Sequence, residues 1–363
     1  MRPRPKGDAR IDRSAGCVEL EDGRRLPYDV LALATGARAR RLPDNVARGR
    51  RVHYLRTLED ACTLRTCLDH VRRVLIIGGG FIGLEVAAAL ARGGVLATVL
   101  ESAPALLPRT GGSTLATWLQ DMHARAGVRI ECGVQITGID AAHAGVLQVE
   151  CADGGRYDAD VLIAGIGILP NTELAIDCGL QCLDGIRVDE HARTSDQRIV
   201  AFGDCARAPN EFLGREARLE TVHNAIEQAK VAAATAAGRY CMYRQVPWVW
   251  SDQYGVRIQM IGECNSPDVI VRGDLNARSA TLLYFDGQRL RGLAALNRPA
   301  DFGVGRRLLQ AGIPVSPKFA ADPAARLETL LPPRAPARFA HTWPRETARV
   351  AARTAAQGAS ASA

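Results

Sequence analysis

Short apolar runs broken by charged residues and glycine make the first forty-odd positions read as short strands. Val18-Glu-Leu-Glu-Asp-Gly-Arg-Arg-Leu is a hairpin pattern with Asp22-Gly23 at its turn. Tyr28-Asp-Val-Leu-Ala-Leu-Ala-Thr-Gly36 reads as a buried strand ending at Thr35-Gly36. A helix is predicted from Leu58 to Val71, with acids near its start and Arg72-Arg73 at its end.

A βαβ pattern follows. Val74 to Ile77 is a strand, Gly78 to Gly83 a turn, Leu84 to Arg92 a helix stopped by Gly93-Gly94, and Leu96 to Glu101 a second strand. A helix near Thr114 to Ala126 and strands near Val128 to Cys132, Val146 to Cys151 and Val161 to Ala164 complete an α/β lobe. After Pro170-Asn171 come a strand at Ile199 to Phe202 and a helix near Val222 to Ala237. From Pro247 the chain is strand-rich through Tyr284 and Leu293, and residues 332–363, rich in Pro, Ala and Arg, read as a disordered tail.

With 363 residues and 47% hydrophobic content, the chain can bury two or three cores. No run approaches the roughly 18 apolar residues of a membrane span, and Met1-Arg-Pro-Arg-Pro-Lys leads into no secretion signal, so a cytoplasmic protein is expected. The ten cysteines are scattered without a C-x-x-C pair or metal spacing, so neither a disulfide scaffold nor a metal site is expected. The net charge of +7 fits an acidic protein partner or a solvated basic surface. No basic stripe interleaved with aromatics points to nucleic acid.

Gly78-x-Gly80-x-x-Gly83 follows an apolar strand and opens a helix, which is the context a dinucleotide-binding turn needs. The first glycine makes the turn, the second lets backbone approach a pyrophosphate, and the third lets helix pack on sheet. The helix N-terminus offers N–H groups to the phosphates. Glu101, ending the next strand, is placed to accept the hydroxyls of the adenosine ribose and to repel a 2′-phosphate, favouring NADH over NADPH. Glu85, read as two residues into the helix, is either a capping acid or a group near the nicotinamide.

Several segments resemble the FAD-dependent pyridine nucleotide oxidoreductases. They are Tyr28 to Arg38, Gly78 to Glu85, Ala164-Gly-Ile-Gly-Ile-Leu-Pro-Asn171, and Thr194-Ser-Asp with Ala201-Phe-Gly-Asp-Cys-Ala206. Arg218-Leu-Glu-Thr-Val-His-Asn-Ala-Ile-Glu-Gln-Ala and Pro247-Trp-Val-Trp-Ser-Asp-Gln-Tyr254 are similar to the branch that reduces [2Fe–2S] ferredoxins for P450 and Rieske-type oxygenases. The resemblance implies an α/β fold with two Rossmann-like, glutathione reductase-type domains and a C-terminal α+β domain. It implies an FAD-binding domain over 1–47 and 171–243, an NADH-binding domain over 48–170, and a C-terminal interface domain over 244–331. FAD and NADH are the implied cofactors, and a [2Fe–2S] ferredoxin, with rubredoxin as alternative, the implied partner. Thr35, Gly36, Arg56 and Asp204 are implied to line the FAD, with Glu220 and Val222 beside its ring system. Gly165 and Gly167 belong to the crossover by the cofactors, Glu85 lies near flavin and nicotinamide, and Trp250 lies near the flavin.

The family pattern begins with a first βαβ unit whose glycine-rich loop cradles the FAD pyrophosphate, and this sequence enters that pattern roughly 70 residues late. Met1 to Asp8 does not resemble what precedes Ile11 in the family. A start assigned too late, a truncated gene and a split protein all fit, and the FAD domain is expected to be incomplete, to expose apolar sheet edges, and to bind FAD weakly or not at all. The alternatives are therefore a flavin-free NAD(H)-binding remnant without turnover and, behind it, a disulfide or rubredoxin reductase. Cys62-Thr-Leu-Arg-Thr-Cys67 has C-x4-C spacing, but in a predicted helix positions five apart point in different directions. His223 stands where close relatives carry proline, and it reads as a neutral, satisfied histidine or as a titrating group near the flavin.

Overall fold

The computed structural model describes residues 9–48, 52–68, 71–141 and 145–333. The predicted tail lies outside these residues from position 334 onward.

Val74 and Ile76 point to one side of the strand Arg73–Ile77, Leu75 and Ile77 to the other, and all four are buried. A strand buried on both faces belongs inside a parallel sheet. It is the middle strand of five, in the order His53–Tyr54, Val161–Ala164, Arg73–Ile77, Leu96–Glu101, Arg129–Cys132, all parallel. Val74, Ile76, Val99 and Ile163 pack on Leu64, Ala87 and Leu90 of the helices Leu58–Cys67 and Phe81–Arg92. On the opposite face, Leu75, Leu100 and Leu162 meet Ile139, Val149 and Ala159 of an antiparallel layer formed by Ile136–Ala141, Leu147–Cys151 and Arg156–Ala159. Register pairs Ile77 with both Ala164 and Leu100, so three strands end together at Gly78, Glu101 and Gly165.

The segments flanking this sheet in sequence meet in space. Leu31–Leu33 pairs in parallel with Ile199–Ala201, and Ala37–Ala39 pairs antiparallel with Ile168–Pro170. The predicted hairpin forms between Cys17–Glu19 and Arg25–Pro27, with Gly23 at φ +82° in its turn. The predicted long buried strand from Tyr28 to Gly36 does not form as such. Its strand is confined to Leu31–Leu33, where Ala32 is exposed, and Val30 is 40% exposed. The reason is pairing: among the described residues this strand has a ladder on one edge, with Ile199–Ala201.

The C-terminal sheet is antiparallel, in the order Trp248–Gln253, Val256–Gly262, Arg289–Leu296, Ser279–Asp286, Asp268–Asp274. Both its faces are buried, which the two-residue period divides cleanly. Ile258, Met260, Leu282 and Leu296 pack on Leu84, Leu115 and Leu119 of the helices Phe81–Arg92 and Ser113–Arg125. Ile261, Leu283, Leu293 and Ala295 pack on Phe302 and Leu308 of the helix Pro299–Gln310. The antiparallel sheet is thereby bolted to the helical face of the parallel one. Among the described residues no helix is long and apolar enough to cross a membrane.

Candidate functional site

The turn after Arg73–Ile77 is shaped by contacts that admit only glycine. Gly78 sits at φ +112°, and a Cβ there would lie 2.5 Å from the carbonyl oxygen of Gly165. A Cβ on Gly83 would strike the carbonyl oxygen of Gly78, so the third glycine is what lets the helix Phe81–Arg92 reach the strand end. Gly80 is different. It is the N-cap, no side chain caps the helix, and the space where its Cβ would stand is open. Unpaired N–H groups at a helix start, facing open space, are what a pyrophosphate requires.

Glu101 is 8% exposed. Its Oε2 accepts from the Gly79 N–H at 2.6 Å, and its Oε1 accepts from the Ala103 N–H at 2.8 Å and the Ser102 hydroxyl at 3.3 Å. These donors satisfy the charge of a buried carboxylate and lock the side chain against the glycine turn. A carboxylate has about four acceptor positions, so one remains for a ligand hydroxyl. Gly78, Gly80, Glu101, Gly165 and Gly167 line one cleft of about 610 Å³. It has the glycine turn, acid and helix start that NADH needs.

Arg109, Arg218 and Glu220 line this cleft and also a second cavity of about 360 Å³ that reaches Phe81, Thr221 and Trp248. Arg218 holds Glu220 at 2.8 Å and Asp184 at 3.1 Å, and exposed Arg109 approaches Glu220 at 3.6 Å. The two cavities therefore share a wall. Neither Arg109 nor Arg218 was singled out from the sequence. Arg218 stands at the head of a motif noted above, whereas nothing local marks Arg109.

The four residues expected on the flavin side come together. Arg56 Nη2 is 2.8 Å from Asp204 Oδ2, and Arg56 Nε donates to the Ala37 carbonyl at 3.0 Å. Gly36, at φ +63°, lies against the Arg56 guanidinium. The Thr35 hydroxyl donates to the Asn171 carbonyl at 2.6 Å, and the Asn171 amide returns a bond to the Thr35 carbonyl at 2.9 Å. Asp204 follows Gly203, whose φ of +78° and N–H bond to Gln228 at 2.9 Å turn the chain there. A cation, a carboxylate and a tight backbone turn suit the polar middle of FAD. Val222, 58% exposed, and Ile226, 50% exposed, give the neighbouring helix Val222–Ala236 an apolar outer face suited to a flat ring.

Glu85 and Trp250 are not brought together. Ser251 donates to Glu85 Oε1 at 2.5 Å, whereas Trp250 stacks on Trp248 at 5.4 Å from the opposite face of the strand Trp248–Gln253. The capping reading of Glu85 is corrected: the helix begins at Phe81, its first turn holds no acid, and Glu85 lies in the second turn. The reading of His223 as a satisfied histidine is corrected too. Burial keeps it neutral by pushing its pKa down, but its buried Nδ1 has no hydrogen-bond partner among the described residues, and its ring packs 5.2 Å from Trp248.

Residues 6–229 match the pyridine nucleotide-disulphide oxidoreductase family, and residues 248–331 match the reductase C-terminal family. The chain is a pyridine nucleotide-disulphide oxidoreductase. Putidaredoxin reductase CamA of Pseudomonas putida is 39% identical over 327 residues, covering 88% of this chain and 78% of the relative. The ferredoxin–NAD(+) reductase component of the anthranilate 1,2-dioxygenase system of Burkholderia cepacia is 41% identical over 323 residues, covering 88% and 79%. The solved covalent putidaredoxin reductase–putidaredoxin complex superposes with a TM-score of 0.83 at 38% identity, covering 89% of this chain and 79% of that one.

In this oxidoreductase Glu85 carries a pKa raised by burial and by the nearby Asp252 charge, against the opposing pull of the Ser251 hydrogen bond. The folded form therefore holds the Glu85 proton to higher pH than the unfolded chain. Folding takes up a proton in that window, so stability falls as pH rises through it. Glu85→Gln is expected to melt higher than the parent at about pH 8 and equally at about pH 4, below the ordinary glutamate pKa. Thermal melts at the two pH values test this, and an equal offset at both would contradict it.

Proposed function

We propose that this oxidoreductase takes electrons from NADH and passes them through FAD to a [2Fe–2S] ferredoxin serving a P450 or Rieske-type oxygenase in the cytoplasm. The observation that carries the reading is the shared wall of the two cavities. A dinucleotide held by its pyrophosphate at Gly80 and its ribose at Glu101 extends past Gly165 and Gly167 toward Glu220 and Thr221. FAD, when bound, supplies the two-electron to one-electron conversion that no side chain can perform.

The chain's own residues bind and orient. Arg56 and Asp204 hold the polar middle of the flavin nucleotide, with Thr35 and Gly36 setting the backbone beside it. Glu220 and Val222 border the ring system, Glu85 borders the nicotinamide, and Trp250 lies toward the flavin from the C-terminal sheet. Domains over 1–47 with 171–243, 48–170 and 244–331 fit this division of labour. The putidaredoxin, ferredoxin and dioxygenase system in the relatives' names support the acceptor, with rubredoxin as its alternative.

NADH-dependent reduction of a [2Fe–2S] ferredoxin in the presence of FAD tests the proposal. Ferredoxin bleaching that is faster with NADH than with NADPH is expected; no bleaching with either nucleotide would refute it. A flavin-free NAD(H)-binding lobe is the second reading, favoured by the exposed Val30 beside the strand Leu31–Leu33, which has a ladder on one edge among the described residues. Colourless protein that binds NADH but takes up no added FAD would establish it.

A further inference from the structure

A run of hydrogen bonds crosses the junction between the helical face of the parallel sheet and the antiparallel sheet. Tyr254 Oη is 3.0 Å from His123 Nδ1, and His123 Nε2 is 2.8 Å from Gln253 Oε1. Gln253 Nε2 is 3.0 Å from Ser251 Oγ, which is 2.5 Å from Glu85 Oε1. His123 belongs to the helix Ser113–Arg125, Glu85 to the helix Phe81–Arg92, and Ser251 and Gln253 to the strand Trp248–Gln253.

The hydrogens follow from the chemistry of each group. Ser251 has a single hydrogen and receives the Gln253 N–H, so its hydroxyl is turned to the Glu85 carboxylate. The carbonyl end of Gln253 needs a donor, which fixes the proton of His123 on Nε2. Nδ1 is then bare and accepts from the Tyr254 hydroxyl. Every donor points toward Glu85. The direction is set by the one member that accepts only.

His123 is 0% exposed, Ser251 1% and Gln253 1%; the helix of His123 also buries Leu119 and Met122, and Ser251 stands opposite buried Ile258 in the sheet. Apolar side chains of similar size would join the two sheets without desolvating three polar groups. What they could not do is present a hydroxyl hydrogen to a half-buried carboxylate. The charged group acting on Glu85 from the strand packed on its helix is Asp252, which opposes ionisation and is itself paired with Arg257 at 2.9 Å. His123 faces Gln253 and Tyr254, and burial keeps it neutral by lowering its pKa.

We propose that His123 and Gln253 are positioning residues: they fix the Ser251 hydroxyl as a dedicated donor to Glu85 and so hold that carboxylate charged and in one orientation at the junction of the two sheets. The consequence for nucleotide binding rests on the proposed place of the nicotinamide beside Glu85. The hydrogen-bond run itself does not.

The test uses the whole chain without added cofactor. ¹⁵N-histidine NMR should show His123 as the neutral Nε2–H tautomer from about pH 8 down to about pH 5, below the usual histidine midpoint. Glutamate-labelled ¹³C NMR, with Glu85→Gln to assign the resonance, reads the Glu85 titration directly. Ser251→Ala and His123→Leu should each move its midpoint upward by about one pH unit, the size a lost hydrogen bond to a charged form gives. His123→Gln, which keeps a donor near the Nε2 position, should restore most of the shift; a merely structural histidine would not show that rescue. Should His123→Leu fail to fold, Ser251→Ala carries the same reading with a smaller change.

An Nδ1–H tautomer, or an unmoved Glu85 midpoint in Ser251→Ala, overturns the proposal. NADH affinity at neutral pH should fall about tenfold in Ser251→Ala, as expected for a disturbed charged contact. A shifted midpoint with unchanged NADH affinity would uphold the positioning run and overturn the placement of the nicotinamide.

Discussion

Gly78→Ala should abolish measurable NADH binding and lower the protein's stability by about 2–5 kcal/mol. The position is left-handed, at φ +112°, which costs a non-glycine residue about 1–2 kcal/mol. The added Cβ also meets rigid backbone, 2.5 Å from the Gly165 oxygen and 2.9 Å from its carbonyl carbon. Overpacking against atoms that cannot rotate away adds about 1–3 kcal/mol. Together these reach about 2–5 kcal/mol, a large share of the roughly 5–15 kcal/mol that holds a domain folded. The damage falls where the strands Arg73–Ile77 and Val161–Ala164 end side by side, so the glycine turn and the crossover shift as one. Thermal melts and NADH fluorescence titration read both effects. Gly80→Ala is the control: its Cβ would enter open space, so it should melt like the parent and lose affinity only. Equal melting of Gly78→Ala and the parent would contradict the packing described for the turn.

Glu101→Gln should weaken NADH binding about thirtyfold while leaving NADPH binding level or improved. The carboxylate accepts backbone N–H groups on both oxygens, from Gly79 and Ala103. A glutamine offers the ribose hydroxyls of NADH no charged acceptor, which loses a charge-assisted bond of about 1.5–3 kcal/mol. A loss of about 2 kcal/mol corresponds to about thirtyfold in Kd. The charge that repels a 2′-phosphate disappears in the same change, so the ratio of the two affinities moves further than either alone. Side-by-side titrations with NADH and NADPH measure it. Parallel loss of both would mean that Glu101 supports the turn without reading the ribose.

How much of this was legible in the sequence depends on how locally each feature is encoded. The strand Val161–Ala164 is legible to the residue because all four positions are buried and form an unbroken apolar run, and Leu96–Glu101 because it is bounded by Gly93-Gly94 before it and a charged residue at its end. The strands Ile136–Ala141 and Arg156–Ala159 were missed. They bury one face, carry charge on the other, and the first is interrupted by a register shift between Ile136 and Gly138. The helix predicted from Leu84 starts earlier, at Phe81, because an uncapped glycine N-cap leaves no side-chain signature to read. The Gly78 to Gly83 turn and Glu101 were legible from spacing alone. The grouping of Thr35, Gly36, Arg56 and Asp204 came from family likeness, since nothing local announces an ion pair between residues 148 apart. Ser251 and His123 were invisible for the same reason. Each sits at an apolar-face position where a core residue is the ordinary expectation, and their partners lie 166 and 130 residues away.

Anaerobic titration of the FAD-saturated protein with NADH, followed in the visible flavin band, tests the central claim most directly. Bleaching that is complete near one equivalent of NADH, and that Glu101→Gln postpones to much higher concentration, is the predicted result. NADH that binds, by its own fluorescence, while the yellow of a bound flavin persists would contradict the claim that the two adjoining cavities bring NADH and FAD together for electron transfer.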